Sequence, residues 1–272
     1  MAPNLLEQDI TDILQTALSE ASDDLLLVDP TETTIRALVD VAAEFDGELP
    51  AVRLLAEERA LKETMEDFLV ASRAADLIDA DRLSIRTLAE PAANALLVSE
   101  ASVQALVAAG DRIGALTTDD SAFVESTRES YDAQWEAAEP FGLRTPPISR
   151  VRDTLAADIG EDVRADFDAV LAGLDTARGD GEGLDEVTVS LLVAARNEVL
   201  LYDISKWGED VGIASKATFS RTKTRLEDMG LIATEKVPID VGRPRLRLQL
   251  GDDQLREADA DELADISQQL VA

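Results

Sequence analysis

Neither cysteine nor histidine occurs anywhere in the 272 residues. Without thiols there is no disulfide framework and no thiolate nucleophile. Without imidazole the chain lacks the usual general base and the commonest metal ligand. Most enzyme templates therefore miss a central part, and no catalytic or metal-binding set is expected. Lysine is scarce, at 5 residues against 20 arginines. No apolar run approaches the ~18 residues that a membrane span needs. The first residues, Met1 to Thr11, carry Glu7 and Asp9 and no basic segment, so no signal peptide is expected and a cytoplasmic location is.

Acid is what the chain has in excess. Its formal net charge is −31, with a hydrophobic content of 46%. Charge of that size favours solubility and destabilises the compact state by self-repulsion. An acidic, lysine-poor chain with enough apolar residues for a core fits a cytoplasm of molar salt. There the Debye length is about 3 Å and the repulsion is screened.

Residues 1–140 alternate between two periods. Leu5, Leu6, Ile10, Ile13, Leu14 and Leu18 space out a helix. Leu25–Val28 reads as a strand, and Thr31 after Asp29-Pro30 is a cap for a helix to Phe45. Strands are expected at 51–55, 84–88, 95–99 and 112–117, and helices at 57–78, 102–109 and 121–138. Strands alternating with helices predict an α/β domain with a mainly parallel sheet and flanking helices. Three prolines and a glycine between Pro140 and Pro147 mark a boundary. Residues 141–183 read as a helical linker and candidate dimerisation segment. The glycine- and charge-rich stretch 178–183 reads as a loop, since it fits no phosphate-loop pattern.

From Leu184 to Leu250 the order is three helices and a hairpin, the order of a winged helix–turn–helix, and 251–272 reads as a C-terminal helix. Ser215 is an N-cap for the third helix and Gly230 its stop. Phe219, Leu226 and Met229 would bury, with Thr222 between them. Lys216, Ser220, Arg221, Lys223, Thr224 and Arg225 would face outward. Hydroxyls interleaved with arginine suit phosphate oxygens and base edges in a major groove. Arg243, held between glycine and proline at the hairpin tip, is placed to enter a minor groove. Arg245 and Arg247 alternate with Leu246, Leu248 and Leu250, giving one basic and one apolar face. Between Lys206 and Arg247 there are nine basic and six acidic residues, a net of +3, so the rest of the chain carries −34. The expected DNA-binding set is Ser215, Lys216, Thr218, Ser220, Arg221, Lys223, Thr224, Arg225, Arg243, Arg245 and Arg247, with double-stranded promoter DNA as partner. Arg221 would read bases and Arg247 would meet phosphate.

Three stretches carry a resemblance: 201–210 (LYDISKWGED), 214–221 (ASKATFSR) and 240–246 (DVGRPRL). They resemble the haloarchaeal TrmB-suppressor (TbsP) family of transcription regulators. The resemblance implies a regulator of sugar-metabolism genes, acting at promoters of glycolytic or gluconeogenic enzymes, with a phosphorylated sugar as signal. Residues 95–99 and 123–135 also resemble effector domains of archaeal winged-helix regulators.

Open α/β sheets bind ligands beyond the C-terminal ends of their strands. The expected effector-binding residues are Thr31, Arg59, Lys62, Ser99, Ser102 and Thr117, with Arg53 and Arg86 as further cations for a phosphate. Each also has a plainer role in a cap or turn. No cofactor is expected beyond such a sugar-phosphate effector. Phosphate contacts weaken as salt rises, so affinity in molar salt calls for base contacts and two joined half-sites, hence a homodimer. The dimer contact is open between 121–138, 149–174 and the stripe Leu263, Ile266 and Leu270. Two other readings stay open: a winged helix used only for protein contacts, and an α/β enzyme.

Overall fold

The computed structural model describes residues 9–110, 112–174, 176–178, 184–238, 244–260, 262–263 and 266–267. The chain forms two units, Met1–Met65 with Arg73–Leu143, and Glu66–Ser72 with Arg144–Ala272.

In the first unit, α1 (Ile10–Glu20) starts at Asp9, whose carboxylate accepts from the Thr11 N–H. Leu5 and Leu6, expected to begin this helix, lie outside the described residues. Strand β1 (Asp24–Val28) leads through Asp29 to α2 (Glu32–Ala43), capped by the Thr31 hydroxyl. Next come β2 (Ala51–Glu57), α3 (Glu58–Met65), α4 (Phe68–Asp79) and β3 (Leu83–Leu88). Asp67 breaks the single helix expected over 57–78. Its carboxylate, wholly buried, accepts from the N–H groups of Leu69 and Ala177. The unit continues with β4 (Leu96–Val98), β5 (Val103–Ala109), β6 (Arg112–Thr118), α5 (Ser121–Ala137) and the short β7 (Glu139–Pro140).

These strands form one sheet in the order β6-β5-β4-β1-β2-β3-β7. Its centre, β1–β2–β3, is parallel; β4, β5, β6 and β7 pair antiparallel. The unbroken run Leu25–Val28 is buried throughout, as a strand covered on both faces requires. Residues 102–109, expected as a helix, are strand β5. Only four residues then separate β4 from β5, and two separate β5 from β6. A parallel pair needs a crossover of a dozen or more residues, so these strands reverse at each turn.

The second unit holds α6 (Ile148–Asp158), α7 (Glu161–Ala172), α8 (Glu186–Arg196), α9 (Leu201–Val211), α10 (Lys216–Asp228), β8 (Ile232–Val237), β9 (Arg245–Leu250) and α11 (Asp253–Glu257). One core joins Val151, Phe167, Leu191, Trp207, Phe219 and Leu248. Helices α6 and α7, in the segment set apart from sequence as a helical linker, are thus built into the core of the winged helix. The indole N–H of Trp207 on α9 donates to the Thr154 hydroxyl on α6 at 3.0 Å. Leu263 and Ile266 also pack on this core; Leu270 lies outside the described residues, as do residues 179–183 of the expected loop.

Two glycines set where α10 sits. A Cβ on Gly208 would lie 2.3 Å from the Phe219 ring, so α9 and α10 touch at that point. A Cβ on Gly251 would lie 2.2 Å from the Gly230 carbonyl oxygen, where the end of β9 passes the end of α10. Gly208→Ala should therefore destabilise the protein by about 1–3 kcal/mol through overpacking. Gly142→Ala, which meets open space, should shift the midpoint far less. Urea denaturation of the two variants beside the wild type is the check; equal midpoints would contradict the close approach.

Candidate nucleic-acid interface

Helix α9 ends at Gly212, in the left-handed region with φ 97°. The chain turns there and restarts at Ser215, whose hydroxyl caps α10 by accepting from the Thr218 N–H at 3.2 Å. Phe219, Thr222 and Leu226 form the buried face. Ser220, Arg221, Thr224 and Arg225 lie on the exposed face. Met229, expected to bury, is 40% exposed. It is the C-cap, one residue past the last helical position, and leaves the stripe that the helix packs inward.

The hairpin β8–β9 pairs over six positions from Ile232↔Leu250 to Val237↔Arg245. A bridge between Leu200 and Arg247 and a bond from the Leu248 N–H to the Val199 carbonyl (3.0 Å) tie the α8–α9 connection to β9. Leu248 and Leu250 are buried and Leu246 half-buried, so the expected apolar face of the wing exists. Arg243 and the rest of 239–243 lie outside the described residues.

Most cations of this surface already have an acid beside them. Lys216 Nζ is 2.7 Å from Glu209 on α9, and Lys206 pairs with Asp210. Arg245 stacks on the Tyr202 ring at 4.6 Å and lies 3.5 Å from Asp203. Arg247 lies 3.8 Å from Glu198. Lys223, expected outward, is only 12% exposed and reaches Glu227 at 2.5 Å. Its four-carbon stem lies along the helix while its head stays on a carboxylate. By contrast Arg221 donates to the Thr218 hydroxyl at 3.3 Å and Arg225 to the Thr188 hydroxyl at 3.1 Å. Neither has an acidic partner among the described residues. Thr224 returns its hydroxyl to the Ser220 carbonyl. The hydrogen bond from Lys216 holds the Glu209 carboxyl below the usual range, and Glu209 raises Lys216 in turn. Sequence reasoning missed Tyr202, Glu209 and Asp203 as parts of this surface. Tyr202 and Asp203 stand among conspicuous motif residues, but only the turn geometry brings α9 acids to α10 and β9 cations.

The six effector candidates fall into two groups at opposite ends of the sheet. Thr31, Arg59 and Lys62 follow the C-terminal ends of β1 and β2. Because β4 runs against β1, with Leu26 opposite Val98, Ser99 and Ser102 lie at the other end. Thr117 joins them there, opposite Gln104. The single site expected from parallel strands is therefore not formed. Arg59 and Lys62 pair along α3 with Glu63 (2.8 Å) and Glu58 (2.6 Å). Ser99 and Ser102 close a turn on each other, the Ser102 N–H donating to the Ser99 hydroxyl at 3.0 Å. The cleft they share with Gln104 is about 10 Å³, close to the room of one water. Arg53 and Arg86 are committed elsewhere. Arg53 bridges Asp24 (2.5 Å) and Asp132 (2.8 Å), Arg86 donates to the Trp135 carbonyl (2.6 Å), and both guanidinium groups lie over the Trp135 ring.

A helix–turn–helix with an exposed arginine-bearing second helix and a two-stranded wing defines a DNA-binding regulator. Two family descriptions match the chain and between them cover nearly all of it. "Transcriptional regulator TbsP-like, N-terminal" matches residues 2–146, and "Transcriptional regulator TbsP-like, C-terminal HTH domain" matches 147–268. The chain belongs to the TbsP-like transcriptional regulators. No curated protein matches it. Among solved structures it is similar to Nuc from Salmonella typhimurium, a phospholipase D family member, at 12% identity over 48% of this chain and 89% of that one, TM-score 0.34. It is also similar to NucT from Helicobacter pylori at 13% identity over 51% and 99%, TM-score 0.33. Likenesses at that level carry no conclusion about this chain. No helix among the described residues is long and apolar enough to cross a membrane.

Glu227 ties the end of α10 to the wing, accepting from Lys223 and from the Thr234 hydroxyl at 2.7 Å. Burial pushes its carboxyl up, but those two hydrogen bonds outweigh burial and hold it below its ordinary 4.5. A depressed carboxyl stabilises the fold above its unfolded pKa and loses that contribution as pH falls through the folded one. Glu227→Gln should destabilise by about 1 kcal/mol at neutral pH. Urea midpoints across pH should show the gap to wild type closing below 4.5; a gap that widens on acidification would contradict the assignment.

Proposed function

We propose that α10 reads base edges through Arg221 and Arg225 while the wing and the start of α10 grip phosphate. The observation that carries this reading is that, among the described residues, Arg221 and Arg225 on the exposed face of α10 hold hydroxyl partners and no carboxylate. The cations around them are paired with carboxylates. A guanidinium there can bond a guanine edge twice, worth about 1–3 kcal/mol against the wrong base. Arg245 and Arg247 on the wing meet phosphate and hold register without reading sequence. Two copies on a palindromic site supply the affinity that phosphate contacts lose in molar salt.

In the same reading the first unit senses a metabolite, and the chain works in the cytoplasm as a regulator and not an enzyme. The lack of histidine and cysteine supports the last point. A sugar phosphate as signal and glycolytic or gluconeogenic genes as targets rest on the family resemblance alone. Thermal-shift titration of the full chain with sugar phosphates tests the signal, and no shift at millimolar ligand would count against it.

Arg221→Ala should lower the ratio of operator to scrambled-DNA affinity about 5–150-fold, whereas Arg245→Ala should weaken both DNAs alike. Titrations on both DNAs read this directly, and an unchanged ratio in Arg221→Ala would remove Arg221 as reader. Glu209→Gln releases Lys216 from its carboxylate. It should tighten binding at low salt and steepen the slope of log K against log salt by about 0.9. A slope equal to the wild type's would mean that Lys216 does not meet phosphate.

A further inference from the structure

The chain has 5 lysines. Four of them lie beside an acid: Lys62 beside Glu58, Lys206 beside Asp210, Lys216 beside Glu209 and Lys223 beside Glu227. The fifth, Lys236 on β8, is exposed and has no acidic partner among the described residues. Its sequence neighbour Glu235 points to the opposite face of the hairpin, across from Arg247. Asp240, nearer the tip, lies outside the described residues.

Alternation gives the hairpin two faces. One holds Ile232, Thr234 and Lys236 on β8, opposite Leu250, Leu248 and Leu246 on β9. At its base Ile232, Leu248 and Leu250 are buried in the core. Next outward, the Thr234 hydroxyl donates to Glu227 of α10 at 2.7 Å. Glu227 is also engaged by Lys223. Lys236 stands two residues, about 7 Å, beyond Thr234 toward the hairpin tip. This face thus runs from the core, past the side of α10, and out to solvent, where it ends in an open ammonium group. The other face carries Arg245 and Arg247, which lie beside Asp203 and Glu198. An arginine there meets phosphate by exchanging one anion for another.

We infer that Lys236 is the wing's open phosphate contact, meeting the DNA backbone that borders the groove entered by α10. The inference rests on the reading of α10 as the base-reading helix and adds a residue to it. A helix seated in a major groove has a phosphate backbone on each side. The inner face of the wing, tied to the side of α10 at Glu227, stands against one of them. Lysine suits that place. Its ammonium is a compact point charge on a flexible stem, without the fixed fork of arginine. It reaches a phosphate oxygen and carries no sequence information. With no carboxylate to displace among the described residues, the contact releases its counterion in full, about 0.9 in log K per log unit of salt.

Affinities of the full chain for a scrambled duplex, and for an operator recovered by selection from random duplexes, test this across potassium chloride concentrations. Lys236→Gln should weaken both DNAs alike, about eightfold at about 0.1 M salt with the gap closing toward about 1 M, so that the slope is shallower by about 0.9. Lys236→Arg should restore the slope. The position is exposed, so the thermal midpoint should hold; should Lys236→Gln unfold, Lys236→Thr decides. Asp240→Asn should leave the slope as in the wild type, and a slope steeper by about 0.9 would mean that Lys236 is paired like the other four. An unchanged slope in Lys236→Gln, with Arg221→Ala still lowering the ratio of operator to scrambled affinity, would overturn this contact alone. A fall of that ratio in Lys236→Gln would make Lys236 a reader of bases and overturn its phosphate role. A wild type that binds neither DNA would sink the reading of α10 and this contact with it.

Discussion

The placement of α10 depends on one contact, the Phe219 ring seated against Gly208. No other residue at 208 leaves room for that ring, because a Cβ would overlap it. With the ring in place, helical geometry decides the rest. Residues one, two, five and six positions past Phe219 must turn away from the core, and these are Ser220, Arg221, Thr224 and Arg225. The left-handed Gly212 and the Ser215 cap fix where α10 begins; the passage of Gly251 over the Gly230 carbonyl fixes where it meets the wing. The exposed arginines are thus a consequence of packing in the core beneath them.

Around that face the charges are arranged in pairs. Glu209, Asp210, Asp203 and Glu198 each lie beside a cation that would otherwise be open to any polyanion. Exposed pairs of this kind contribute about 0–1 kcal/mol to stability, so stability is a poor reason for them. Their larger effect is on binding. A cation that already has a carboxylate gains less from a phosphate, and non-specific attraction falls for all DNA alike. Among the described residues, Arg221 and Arg225 have no such carboxylate. On the proposed reading, discrimination would therefore weigh more, relative to total affinity, than on a surface with every cation bare.

Much of this was legible from residue order. Caps at Thr31 and Ser215, the apolar run Leu25–Val28 and the alternation of Leu246, Leu248 and Leu250 each obey a local rule. Most of the failures share a cause, since they turned on something distant. Residues 102–109 are rich in alanine and have no strong period; their strand exists because β4 and β6 flank it. That one misreading reversed the end at which Ser99, Ser102 and Thr117 lie and so split the expected effector site. Lys223 sits on a face that a helical wheel points outward, but its stem is long enough to fold back to Glu227. Arg53 and Arg86 meet at Trp135 from far apart in sequence, which no periodicity announces.

The commitment of those arginines bears on how the first unit could sense an anion. Arg53, Arg86 and Arg128 serve Asp24, Asp132 and the Trp135 carbonyl, with Trp135 between two guanidinium groups. A phosphate drawn to them would have to displace a carboxylate already in contact, an exchange of one anion for another with little net electrostatic gain. The cleft of about 510 Å³ beside them is lined by Glu100, Asp119, Glu125, Glu129 and Asp132 against the single cation Arg128. Arg59 and Lys62 are better placed for an anion, because each is exposed and its ion pair is with a neighbour on its own helix. Those pairs are the kind that costs little to open. On the proposed reading, recognition of a sugar phosphate in so acidic a unit would fall to hydroxyl and backbone donors around the sugar. At molar salt the surrounding field would be screened within about 3 Å, so a phosphate could approach.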